Sequence, residues 1–150
     1  MANLLRRIVL ALAAHATFLV ISTLLLLLDT VVKERIKSPD ENLLLVLAVC
    51  FFIMMPWILY ILVLWTMPSA IVTSVIYLAG SFLHERIALA TAVLIGAIVM
   101  YVTLNSGIPD DFNFPLSTTR TVVATAIYVL SWIGVRHVVG KTAQKIENIS

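Results

Sequence analysis

What most constrains this chain is how far it runs without a charge. From Ile8 to Leu28 there is none. At 1.5 Å of rise per residue a helix over this run is about 31 Å long, enough to cross a hydrocarbon core of ~30 Å. Comparable runs recur at about Asn42–Trp65 and Ile87–Leu104, and Thr118–Val139 is apolar except for Arg120 and Arg136 near its ends. A water-soluble domain averages about half apolar and a quarter charged residues. Here 61% are apolar and 12% charged, with a mean hydropathy of +1.07. A soluble fold of 150 residues cannot hide that much apolar surface. The composition predicts an all-α integral membrane bundle, one polytopic domain over 1–150.

The first run is too long for the apolar region of a signal peptide, and Asp29-Thr30-Val31-Val32 offers no small-x-small cleavage site. It reads as an uncleaved first span, followed by a polar connection from Asp29 to Glu41. Ser38-Pro39-Asp40-Glu41 has the pattern of a helix start, with Ser38 as N-cap, Pro39 at the first position and Glu41 closing a capping box. Pro56 falls inside the second span, where it cannot donate to the Phe52 carbonyl, so a kink is expected there. Thr66-Met67-Pro68-Ser69 reads as a break.

The stretch after the break sets the crossing count. Ala70–Leu83 makes only about 21 Å of helix, and Thr73, Tyr77, Ser81 and His84 recur along it at helical spacing. That pattern predicts an interfacial or re-entrant helix over 69–86, and four spans in all. The third span closes on a C-cap signal at Asn105-Ser106-Gly107, with an acidic, aromatic connection from Asp110 to Pro115 beyond it. With four spans and the N-terminus inside, Arg6, Arg7, Arg86, Arg136, Lys141 and Lys145 are cytosolic, while Lys33, Arg35, Lys37 and Arg120 are outside. If Ala70–Leu83 crosses, there are five spans and the N-terminus moves outside. Both arrangements put the C-terminal tail in the cytosol, as for a multi-pass protein of a bacterial inner membrane.

Few residues inside the spans carry chemistry. His15, Ser22 and Asp29 are seven apart and share a helix face. That face is either a polar path for protons or ions or a seam bonded to a neighbouring helix. His15 and His137 are the candidate axial ligands of a b-type haem, or the walls of a quinone pocket, if they lie at matching depth on facing helices. His84-Glu85-Arg86 lacks the i, i+4 pair of a helical metal motif and reads as a charged turn. Ala88, Ala92 and Gly96 form a small-xxx-small ladder for close helix packing. Thr118, Thr121, Thr125, Tyr128 and Trp132 make a narrow seam on the last helix. Its threonines either line a hydrated path, with Thr121 and Thr125 at its centre, or bond to helix carbonyls and cross-helix partners.

No phosphate-binding glycine loop is present, and no Asp or Glu sits in the middle of a span, where ion-coupled transporters carry them. The basic residues are too sparse for a nucleic-acid footprint. The single cysteine, Cys50, forms no intramolecular disulfide. The leading expectation is a non-enzymatic structural or accessory subunit of a larger membrane assembly, without cofactor, whose partners are lipids and other membrane subunits or copies of itself. A homo-oligomeric channel or small transporter is the alternative. A membrane immunity or exclusion protein rests on analogy of size alone, and a haem- or quinone-binding subunit rests on the histidines.

Overall fold

The computed structural model describes residues 2–37, 39, 42–80, 84–105 and 118–147. All regular structure among them is helical: α1 (Ala2–Lys37), α2 (Leu43–Val49), a π-helical turn (Cys50–Met54), α3 (Met55–Ala79), α4 (Glu85–Asn105) and α5 (Thr118–Glu147). Four stretches are long and apolar enough to cross a membrane: Leu4–Lys37, Leu43–Ala79, Glu85–Leu104 and Thr121–Val139. The fold is an all-α bundle with four potential spans.

Three local expectations give way. The polar connection after Leu28 is not a loop, because α1 runs on to Lys37. Lys33 pairs with Asp29 at 2.8 Å and Lys37 with Glu34 at 3.4 Å, spacings that support a helix, and Arg35 and Lys37 suit the negative end of its dipole. The next helix is capped by Asn42 rather than Ser38. Asn42 has extended backbone and its side chain accepts the Leu44 N–H at 3.0 Å. Pro39 sits in a turn whose carbonyl accepts from Arg35, and Ser38, Asp40 and Glu41 lie outside the described residues.

The third correction concerns Pro68. It lies inside α3, and residues 69–79 are the last turns of that helix, so no separate interfacial or re-entrant helix over 69–86 exists among the described residues. Away from water, breaking the helix exposes several backbone groups, whereas the proline forfeits one hydrogen bond. Pro56 is accommodated differently. The turn before it widens, with the Met55 N–H reaching five residues back to the Cys50 carbonyl. The five-span arrangement falls with the break at Pro68. Ser81 and the segment 106–117, with its C-cap and acidic connection, lie outside the described residues.

The chain forms two compact units, Met1–Phe18 with Thr66–Ser150, and Leu19–Trp65. In the first, Arg7 donates to the Tyr77 carbonyl, and Arg6 and Arg136 approach Glu85. These contacts place the starts of α1 and α4 at the same end as the close of α3 and the C-terminal half of α5, so the four helices alternate in direction. α4 begins where the His84 carbonyl accepts the Ile87 and Ala88 N–H groups at 2.9 and 3.1 Å. Trp132, Tyr77, Tyr128 and Phe18 fill the centre of this unit. The second unit buries little beyond Ser22, Thr23, Val46, Cys50 and Ile58, and Phe51, Phe52, Trp57 and Tyr60 stand exposed.

In a Cys50→Ala background, single cysteines report the crossing pattern through a membrane-impermeant maleimide. Cysteine at position 33 should label from one side only and at position 86 from the other, while Ser69→Cys stays unlabelled from both. Labelling of Ser69→Cys from either side would restore the break at Pro68.

Candidate functional site

The four helices of the first unit meet at a node of hydroxyls and rings. Ser69, Thr73 and Tyr77 step by four along one face of α3, a spacing that stacks side chains one turn apart. Ser69 Oγ donates to the Gly96 carbonyl of α4 at 2.7 Å. Thr73 Oγ1 and Tyr128 Oη of α5 are 2.6 Å apart, and Tyr128 also donates to the Ser69 carbonyl at 3.4 Å. With Thr73 donating to Tyr128 and Tyr128 to Ser69, every group in that relay is satisfied, as burial requires. Ser69, Thr73 and Tyr128 are fully buried.

His15 closes the node from α1. Its Nε2 lies 3.3 Å from Ser74 Oγ. Its ring stands edge-on to Trp132 at 5.3 Å and tilted against Tyr128 at 5.8 Å. Phe18 meets Tyr128 and Tyr77 meets Trp132 in the same T-shaped manner, at 5.4 and 5.7 Å, the arrangement that ring quadrupoles favour. An imidazole enclosed by two rings and a hydroxyl is bonded across the helix seam.

The small-residue ladder faces α3 of the same chain. Ala88 and Ala92 are buried, and a Cβ added at Gly80 would come within 2.8 Å of the Ala88 Cβ. A Cβ added at Gly96 would overlap Thr73 Oγ1 and lie 3.1 Å from Tyr128 Oη. Glycine at 96 is what lets the Thr73 hydroxyl reach Tyr128 across the surface of α4.

The other candidates separate. Ser22 is buried and its hydroxyl has no partner among the described residues, while Asp29, on the same helix face, is taken up by Lys33. Thr125 bonds back to the Thr121 carbonyl at 2.9 Å, whereas the Thr121 hydroxyl and the Trp132 Nε1 are buried without a hydrogen-bond partner among the described residues. The side chain of Thr118 lies outside the described residues. Nothing among the described contacts joins His15 to His137: His15 lies against Ser74, Trp132 and Tyr128, and His137 is exposed. Among the described residues no three of His, Cys, Asp and Glu gather around a common point.

One feature at the bundle's end had no signal in the sequence. Arg7 reads there as a flanking charge, yet it is only 8% exposed. Its guanidinium donates to the Tyr77 carbonyl at 2.8 Å and lies 5.1 Å above the Tyr77 ring. It therefore satisfies a carbonyl near the end of α3 and gains a cation–π contact. The pairing joins residues 70 apart, which no local pattern encodes.

Two substitutions separate the node from ordinary helix propensity. Gly96→Ala should destabilise the protein by about 1–3 kcal/mol through overpacking. Gly134→Ala, with nothing within 4 Å of the added carbon, should leave it unchanged or raise stability by up to ~1 kcal/mol. Thermal melts in detergent read both. Tyr128→Phe strands the Thr73 hydroxyl and should cost about 1 kcal/mol in the same assay. No protein-family description, curated protein or solved structure matches the chain.

Proposed function

We propose that the chain is a multi-pass membrane protein serving as a non-enzymatic structural or accessory subunit of a larger membrane assembly. The observation that carries this reading is where the polar groups go. At the node, His15, Ser69, Thr73, Ser74 and Tyr128 are bonded to one another or to backbone, and no carboxylate is among them. A coupled transporter keeps an ionisable group at a binding site near the midplane, open to substrate, whereas the one ionisable group of this node, His15, is enclosed by Ser74, Trp132 and Tyr128. Here the polar groups hold helices together instead. The outward surface is apolar and rich in large side chains such as Phe51, Phe52 and Trp57, a surface suited to lipid and to neighbouring membrane helices. The Arg6/Arg136 end is read as cytosolic because Arg6, Arg7, Arg86 and Arg136 belong to it, and a bacterial inner membrane is proposed as the setting.

A homo-oligomeric channel or small transporter is the second reading. It is favoured by the buried, unpartnered Thr121 Oγ1 and Trp132 Nε1 on α5, since a hydrated path would supply their missing partners.

Purification from its native membrane in mild detergent should bring stoichiometric partner chains with this protein. A homogeneous monomer that retains full activity by itself would refute the subunit reading. Ion flux through proteoliposomes of the purified chain, altered by Thr121→Val, would establish the second reading in its place.

A further inference from the structure

The end of the bundle where α1 and α4 begin carries more positive charge than its own carboxylate can satisfy. Arg6 Nη2 is 3.7 Å and Arg136 Nε is 3.9 Å from the same oxygen, Oε1 of Glu85. Charge-assisted N–H···O bonds run about 2.7–2.9 Å, so the two guanidinium groups flank one carboxylate oxygen without a hydrogen bond to it. Arg6 Nε is buried and has no hydrogen-bond partner among the described residues. Arg7, the next residue, spends its contacts on the carbonyl and ring of Tyr77, and no carboxylate pairs with it among the described residues. With Arg86, the neighbour of Glu85 in sequence, four arginines stand against one glutamate at this end among the described side chains, an excess of three positive charges.

The cluster is accessible from outside, since the Arg6 and Arg136 side chains are 40% and 32% exposed. Exposed apolar side chains flank it, Leu4, Leu5 and Ile8 on α1 and Ile87 on α4. Forked cationic donors beside an apolar flank match a ligand with an anionic head and a hydrocarbon tail. Guanidinium presents its N–H groups in a plane that suits the oxygens of a phosphate. We infer that Arg6 and Arg136 bind the phosphate of an anionic phospholipid, with the buried Arg7 adding attraction from behind and Glu85 holding the two arginines together when no lipid is bound. The phosphate would occupy the space both guanidinium groups now direct toward Glu85 Oε1, so Glu85 opposes binding. This inference rests on the membrane bundle and is independent of the subunit reading.

The full chain, reconstituted in nanodiscs of phosphatidylcholine with or without a minor fraction of phosphatidylglycerol, tests it by native mass spectrometry of retained lipid. Phosphatidylglycerol should be retained in preference to phosphatidylcholine. Arg6→Gln and Arg136→Gln should each weaken retention about five-fold, as expected for one basic residue at an anionic surface. Glu85→Gln should strengthen it, and Lys33→Gln, on the far part of α1, should change nothing. Circular dichroism confirms that each variant is folded. Equal retention of the two lipids, or folded arginine variants that retain phosphatidylglycerol as the parent does, would overturn the proposal. Displacement of the lipid by inorganic phosphate alone would assign the site to a soluble phosphate and overturn the lipid as its source.

Discussion

The bundle depends on a close approach at Gly96. Between helices in lipid there is no hydrophobic driving force, because the surrounding tails are as apolar as the side chains. Association must come from dense packing and from hydrogen bonds that cross the seam. Removing a single Cβ from α4 supplies both. The vacated space takes the Thr73 hydroxyl, the exposed Gly96 carbonyl accepts from Ser69, and Tyr128 ties both residues to α5. Ala88 and Ala92 extend the same close face toward the start of α4. Once Tyr128 and Trp132 are fixed, they form the walls against which His15 and Phe18 of α1 pack. Three helices brought together by one glycine thus position the fourth.

Much of this architecture is legible in the sequence. Long apolar runs locate spans because a single continuous segment keeps its own backbone groups bonded in hydrocarbon only as a helix, and the small-residue ladder marks a packing face because small side chains allow close approach. Polar residues at helical spacing were harder to read. Thr73 and Tyr77 suggested a helix lying at the interface, yet both point into the bundle. A polar stripe shows that one face differs from the others, and water or a neighbouring helix on that face gives the same stripe. Pro68 misled for a related reason. Its signal as a breaker is calibrated in water, where freed carbonyls find solvent, and it weakens where they do not. The continuation of α1 past Leu28 carries two exposed ion pairs at helical spacing, which add only a few tenths of a kcal/mol each to a helix already formed.

The two ends of the first unit's chemistry contrast. At the node the hydroxyls of Ser69, Thr73 and Tyr128 bond to one another and to backbone across the seam, an arrangement suited to cohesion. At the end near Glu85 the groups are ionised, spaced beyond hydrogen-bonding distance and partly open to their surroundings. Arg7 joins the two regions, since the carbonyl it caps belongs to Tyr77, whose ring rests on Trp132.

The stretch from Leu43 to Ala79 has a consequence of a different kind. Its 37 residues make about 55 Å of helix, nearly twice a hydrocarbon core of ~30 Å. Standing upright it would leave several apolar turns in water. It must tilt steeply, bend where the π-helical turn before Pro56 loosens the ladder, or draw the bilayer up around it. Each response costs a fraction of a kcal/mol per ångström of misfit. The 20- and 19-residue stretches Glu85–Leu104 and Thr121–Val139 match such a core without any of these responses, so in one bilayer the long stretch and the short ones call for different thicknesses.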